Sequence, residues 1–190
     1  MTSPSIWRRV EQEAFTFLYW VRDLAGRDRL SISQINDQLW CSAALTSEAD
    51  VGQIVTLRIT AVIDCRLEFD DRSLIRRYDH APPSPVVALK RAFGLDYCDD
   101  GVADDGRAKP VEWFEKGWDF ARPRLESGAV VLTHCSAGVN RGPSLAYFLL
   151  RAYWDMSPSD ALDLIIARRP VAKVRYHEDA DRAITALGLC

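Results

Sequence analysis

The chain has 190 residues, 48% of them hydrophobic and 27% charged, which suits one soluble domain with a single sizeable core. A formal net charge of -3 leaves no global basic field to draw nucleic acid or an anionic membrane. The five cysteines (Cys41, Cys65, Cys98, Cys135 and Cys190) are widely spaced and form no C-x-x-C pair, which argues against a zinc centre and for free thiols in a reducing, cytoplasmic setting.

Residues 1–28 read as a helix docked on the domain that follows, 29–190. Trp7, Val10, Ala14, Leu18, Val21 and Ala25 fall on one helical face. Arg8, Arg9, Glu11, Glu13, Arg22 and Asp23 interrupt the stretch, whereas a spanning helix needs about 20 mostly apolar residues. No signal peptide and no membrane span are expected. Ile32–Cys41 alternates and predicts a strand or a strand pair. Residues 47–57 read as a helix with Thr46 or Ser47 as N-cap. Ile59–Cys65 (ITAVIDC) is a β-branched run and predicts a buried strand. Three prolines make 81–85 irregular, and 86–93 suggests a short helix. Asp96–Lys109, rich in Asp and Gly, reads as a loop. A helix follows over Val111–Leu125, which Pro123 must end or bend. Gly128–Thr133 is a buried strand and Gly142–Trp154 a helix. Ser157-Pro158-Ser159-Asp160 starts another helix, with Ser157 as N-cap and Pro158 at the first helical position, running to Arg168. Buried strands alternating with helices predict an α/β layer architecture. In such sheets, sites form beyond the carboxyl ends of the strands.

The strand ending at Thr133 leads into His134-Cys135-Ser136-Ala137-Gly138-Val139-Asn140-Arg141-Gly142, and a helix follows at once. A loop entering a helix N-terminus turns several backbone N–H groups toward one point. Gly138 permits a backbone conformation closed to other residues. Arg141 adds a planar fork able to hold two phosphate oxygens. Ser136, Ala137, Gly138, Val139, Asn140 and Arg141 together predict a cradle for a phosphate. The donors that would hold the anion also favour the thiolate of Cys135, making it a nucleophile. His134 either tunes the thiol and orients the loop or is a structural histidine.

HCSAGVNRG resembles the active-site signature of the cysteine-based protein tyrosine phosphatase superfamily. The short chain and the H-C-x-A-G-x-x-R wording are most similar to its dual-specificity branch. The resemblance covers residues 32 to the C-terminus, including ITAVIDC and Ala167–Pro170 (ARRP). It implies a mainly parallel central sheet flanked by helices on both faces. It also implies a cysteinyl-phosphate intermediate, formed with no metal and no cofactor. The family carries Ser or Thr directly after the arginine, and that hydroxyl helps the thiolate leave. Here the position is Gly142, which predicts slow hydrolysis of the intermediate and burst kinetics. Ser136, Thr133 and Ser144 are the nearby hydroxyls.

Expulsion of the leaving oxygen calls for a general acid, worth roughly 10²–10⁴ in rate. The segment GVADDGRAKP supplies Asp104 and Asp105, one helix and one strand before Cys135. Its D-x-G pattern resembles the family's mobile acid loop and favours Asp104, with Asp105 as the alternative. Asp99 and Asp100 rank lower, and Asp64, ending a buried strand, reads as structural. Cys65 ends the ITAVIDC strand. If that strand neighbours the one before Cys135, a Cys65–Cys135 disulfide could form on oxidation.

The expected substrate is phosphotyrosine, with phosphoserine and phosphothreonine, in proteins. A second reading changes the substrate to a phosphoinositide, an inositol phosphate or an RNA 5′ end, which calls for extra cations near the phosphate. Arg107, Lys109, Arg168, Arg169, Lys173 and Arg175 are candidates for such a rim, mostly as solvated surface charges. A third reading, a phosphate-binding module with little turnover, has only Gly142 in its favour.

Overall fold

The computed structural model describes residues 30–45, 48–66 and 94–189. The expected first helix (1–28), the caps at 46 and 47, the proline segment 81–85, the short helix at 86–93 and Cys190 lie outside the described residues. Within them, the expected strand pair is β1 (Ile32–Gln34) and β2 (Leu39–Ser42), joined antiparallel. Helix α1 (Glu48–Thr56) leads to β3 (Ala61–Asp64). Strand β4 (Asp96–Asp99) precedes α2 (Val111–Glu126), β5 (Val131–His134) and α3 (Arg141–Trp154). Helices α4 (Pro158–Arg168) and α5 (His177–Leu187) follow.

The sheet order is β1-β2-β5-β3-β4, and every pairing beyond β1–β2 is parallel. Side chains alternate across the two faces, as a period of two requires. Ala61 and Ile63 of β3 and Val131 of β5 join the core under α2 to α5, while Val62 and Leu132 join the core under α1. Helices therefore cover both faces, the expected architecture. Helix α3 is buried from Arg141 through Leu150, and burial on all sides marks it as the central helix of its layer. Ser157 caps α4 as expected, accepting from the Asp160 N–H at 3.2 Å, with Pro158 in the first turn.

One expectation is corrected: Asp96–Asp99 is a strand, not part of a loop, because the buried central pair Tyr97 and Cys98 and parallel pairing with β3 override the poor strand propensity of aspartate. Helix α2 covers the expected Val111–Leu125 and runs to Glu126, so Pro123 does not end it. The missing proline N–H falls in the last turn, where the Ser127 N–H donates to the carbonyls of Pro123 and Arg124. Helix α5 is an element the periodicity had left unassigned.

Candidate active site

Strand β5 lies at the centre of the sheet, so its carboxyl end opens between β2 and β3. Residues 135–140 leave that end and enter α3 at Arg141. Each carbonyl from Ser136 to Asn140 is tied outward to the scaffold. Ser136 O accepts from the Ala44 N–H at 3.1 Å, Val139 O from the Lys173 N–H at 2.8 Å, and Asn140 O from the Ser144 N–H at 2.8 Å. Gly138 O accepts from Arg169 Nε at 2.6 Å and Ala137 O from Arg169 Nη2 at 3.4 Å. In a trans peptide the C=O and the next N–H point in opposite directions. Carbonyls held against the scaffold therefore turn the amides of residues 137–141 toward the loop's inner side. Gly138 has φ +64, and a Cβ there would stand 2.2 Å from Arg169 Nη2 and 2.6 Å from Ser42 O. Both the left-handed backbone and the close approach require glycine at this point.

Arg169 is a correction. Among the six candidate rim cations it is buried, 2% exposed, and its guanidinium also reaches Ser31 O and Ser33 Oγ at 3.3 Å. It is a bracket beneath the loop rather than a charge on the rim. Lys109 is likewise buried, whereas Arg107, Arg168, Lys173 and Arg175 are exposed.

Arg141 opens α3 and is 7% exposed. Its Nη1 donates to Cys65 O at 3.2 Å and Val102 O at 3.1 Å, and its Nη2 donates to Ser136 Oγ at 3.0 Å. Among the described residues its Nε is buried without a hydrogen-bond acceptor, and Asp104 Oδ2 is 3.8 Å away. Cys135 is 2% exposed and is a free thiol.

The two candidate acids separate. Asp104 stands beside the loop: Asn140 Nδ2 donates to its oxygens at 3.4 and 3.5 Å, and Tyr176 Oη donates to Oδ1 at 2.5 Å. Asp105 turns away, accepting from Lys109 Nζ at 2.7 Å, and that bond first of all holds its carboxyl below the ordinary range. Asp99 and Asp100 lie at the end of β4, where Asp100 is buried. Burial pushes Asp100 up to about 7, with Lys116 opposing and Asp99 adding.

His134 is buried, and neither ring nitrogen has a hydrogen-bond partner among the described residues. Its ring therefore does not hydrogen-bond to the loop. Burial pushes the imidazole down to about 4, partly offset by Asp64 at 3.6 Å. Burial would raise the pKa of Asp64. The charges of His134, when protonated, and of Arg66, with hydrogen bonds from Tyr97 and Arg66, bring it below the ordinary range instead. Since burial keeps His134 neutral, Arg66 is the charge that holds Asp64, at 2.8 Å. Asp64 so far fits its structural reading.

Cys65 follows β3 just as Cys135 follows β5. The register Asp64↔His134, continued by the Cys65 N–H donating to His134 O at 2.9 Å, sets the two cysteines side by side. A Cβ at Gly142 would lie 3.2 Å from the His134 backbone. The neighbouring hydroxyls are committed: Thr133 donates to Gly142 O at 3.0 Å, Ser144 accepts from the Tyr176 N–H at 3.2 Å, and Ser136 accepts from Arg141.

No family model matches the chain. Two curated relatives match in sequence. Human dual specificity protein phosphatase 16 is 29% identical over 76 residues, 40% of this chain and 11% of its own length. The Caenorhabditis elegans tyrosine-protein phosphatase vhp-1 is 32% identical over 69 residues, 36% of this chain and 10% of its own length. The chain thus spans only a small part of the curated relatives it matches. Among solved structures, PTPMT1 in complex with PI(5)P superposes with a TM-score of 0.65 at 16% identity, covering 82% of this chain and 98% of that one. In fold and in loop sequence the chain is dual-specificity-phosphatase-like. At this loop the Arg141 guanidinium and the Asp104 carboxyl stand 3.8 Å apart. Sequence reasoning put Arg169 on the rim rather than beneath the loop and missed Tyr176, which nothing local marked. No helix among the described residues is long and apolar enough to cross a membrane.

Proposed function

We propose that this protein hydrolyses phosphomonoesters, with phosphotyrosine in proteins as the leading substrate and phosphoserine and phosphothreonine beside it. The observation that carries this reading is the outward tying of the carbonyls from Ser136 to Asn140, which frees the opposing amides for an anion beside Cys135 and Arg141. The Cys135 thiolate attacks phosphorus, an S–P bond forms and the P–O bond breaks. The bonding pair goes to the leaving oxygen, which takes a proton from the Asp104 carboxyl. Water then attacks the cysteinyl-phosphate and gives a proton to Asp104, and the thiolate leaves with the S–P pair. The buried Arg141 Nε, which has no hydrogen-bond acceptor among the described residues, supports its role as a grip on phosphate oxygens.

A non-protein phosphoester is a second reading. It is favoured by the exposed side chain of Lys173, whose backbone N–H bonds the loop at Val139, and by the fold likeness to a protein solved with PI(5)P. The decisive experiment is turnover of p-nitrophenyl phosphate by wild type and Cys135→Ser. Wild type should release a burst of one equivalent of p-nitrophenol before a slower phase, as Gly142 predicts. The variant should bind inorganic phosphate without turnover. Phosphate binding with no turnover by wild type would leave only the binding-module reading standing. Relative rates on phosphopeptides, phosphoinositides and RNA 5′-phosphates would then decide between substrate classes.

A further inference from the structure

Tyr176 has no part in the chemistry proposed above, yet its side chain reaches into the acid loop. We propose that Tyr176 is a positioning residue for Asp104, fixing the acid relative to the helix that begins at Arg141. This rests on the reading of Asp104 as the proton donor.

The argument starts from what the acid loop lacks. Asp105, Gly106 and Arg107 are exposed, and a carboxyl carried on exposed backbone wanders unless something holds it. Tyr176 supplies the hold. It is 3% exposed, its hydroxyl donates to Asp104 Oδ1 at 2.5 Å, and Tyr176 Oη itself accepts from the Gly106 N–H at 3.3 Å. One hydroxyl therefore bonds both ends of the Asp104–Gly106 turn. Its own backbone is fixed to the catalytic helix, because the Tyr176 N–H donates to Ser144 Oγ at 3.2 Å and Ser144 is fully buried in α3. Lys109 Nζ stands 4.5 Å from the centre of the ring, and its backbone N–H is held by Asp179 Oδ2 at 2.7 Å. The acid is thus referenced, through Tyr176 and Ser144, to the same helix that carries Arg141.

The geometry also divides the work of the carboxyl. The tyrosine bonds Oδ1, while Oδ2, which also accepts from Asn140 Nδ2 at 3.4 Å, is the oxygen 3.8 Å from Arg141 Nε and so lies toward the cradle. Burial, then the hydrogen bond and charge of Asp104, raise the pKa of Tyr176, so it stays a donor at neutral pH. A displacement of about 1 Å in a catalytic group can cost ~10²-fold in rate, so a single well-placed bond to the acid matters.

A merely structural tyrosine and a positioning tyrosine differ in one readout: dependence on the leaving group. Protonation matters for phenyl phosphate, a poor leaving group, and little for p-nitrophenyl phosphate. Because slow hydrolysis of the shared intermediate would mask the first step in kcat, the readout is kcat/KM: Asp104→Asn should lose about 10²–10⁴-fold in kcat/KM on phenyl phosphate and far less on p-nitrophenyl phosphate. Tyr176→Phe should lose about tenfold on phenyl phosphate and less than about twofold on p-nitrophenyl phosphate, with vanadate inhibition unchanged. Ser144→Ala, which frees the Tyr176 backbone, should show the same pattern at about threefold and serves if Tyr176→Phe does not fold. If Asp104→Asn shows the leaving-group pattern and both other variants slow the two substrates equally or not at all, the positioning role is overturned while the acid reading stands. If Asp104→Asn lacks that pattern, both are overturned.

Discussion

Two loops leave the same edge of the sheet and are held in opposite ways. The loop after β5 is fixed through its backbone: the carbonyls of residues 136–140 are each bonded by the scaffold, and most of its residues are buried. The loop after β4, from Gly101 to Lys109, is largely exposed and is held by side chains from far along the chain, notably Tyr176 and Asp179. A rigid backbone cradle suits a task that is the same for every phosphoester. A side-chain tether suits a group that must reach a leaving oxygen and then an incoming water. The difference teaches that perturbing the first loop should weaken every substrate alike, whereas perturbing the second should discriminate by leaving group.

Arg169→Lys is the sharpest way to break that contrast. A lysine keeps the charge but loses the fork that bonds the carbonyls of Ala137 and Gly138 while reaching Ser31 and Ser33. Freed carbonyls let the amides tilt away from the anion. Expected is a fall in kcat/KM of about 10²-fold, with weaker vanadate inhibition, equal on good and poor leaving groups. Unchanged vanadate inhibition would show that the loop holds its shape without the bracket.

That contrast also explains what the sequence made legible. The cradle could be read because Cys135 to Arg141 are contiguous and the strand before and helix after them have strong patterns. The α/β class followed from ITAVIDC, GAVVLT and the helix over 142–154 for the same reason. Strand β4 was hidden because Asp96-Tyr97-Cys98-Asp99 has poor local propensity and is made a strand by its neighbour β3. Helix α5 has an acidic first turn and only Ala180, Ala183 and Ile184 as buried apolar residues, a thin apolar stripe. Arg169 was unreadable as a bracket because its partners at 31, 33, 137 and 138 are brought to it only by the fold. Asp104 could be preferred over Asp105 through the family resemblance of its D-x-G pattern, but the opposed directions of the two carboxyls depend on Lys109 and Tyr176.

Cys65 stands where the two loops meet: its carbonyl accepts from Arg141 Nη1 and from the Val102 N–H at 3.3 Å. Burial first, then the charges of Asp100, Cys135 and Asp64, raise the Cys65 thiol well above its ordinary range, with Arg141 opposing. On the proposed pathway, peroxide oxidises Cys135 to the sulfenic acid with loss of water, the Cys65 sulfur then attacks it, an S–S bond forms and a second water leaves. Wild type treated with mild peroxide should regain several-fold more activity on thiol reduction than Cys65→Ser, and its intact mass should fall by two hydrogens. Equal recovery of the two proteins would remove Cys65 from the pathway.

Asp100 offers the smallest effect and the cleanest separation of stability from chemistry. It lies at the root of the loop that carries Asp104, its Oδ2 buried without a hydrogen-bond partner among the described residues and its carbonyl accepting from Trp113 Nε1 at 2.8 Å. With a folded-state pKa of about 7 against an ordinary 3.8, it binds a proton in the folded state that the unfolded state has already released. Its presence therefore costs nothing below about pH 4, and the cost grows as pH rises to 7, reaching at most ~4 kcal/mol. His134, whose pKa is lowered to about 4 from 6.5, acts in the opposite sense, adding stability as pH rises between those values. Asp100→Asn removes only the first contribution. The variant's urea midpoint should gain on that of wild type between pH 5 and pH 8, with no change in the leaving-group dependence of kcat/KM. A difference in midpoint that stays constant with pH would mean that the carboxyl keeps its charge on folding, and that the base of the acid loop tolerates a buried anion.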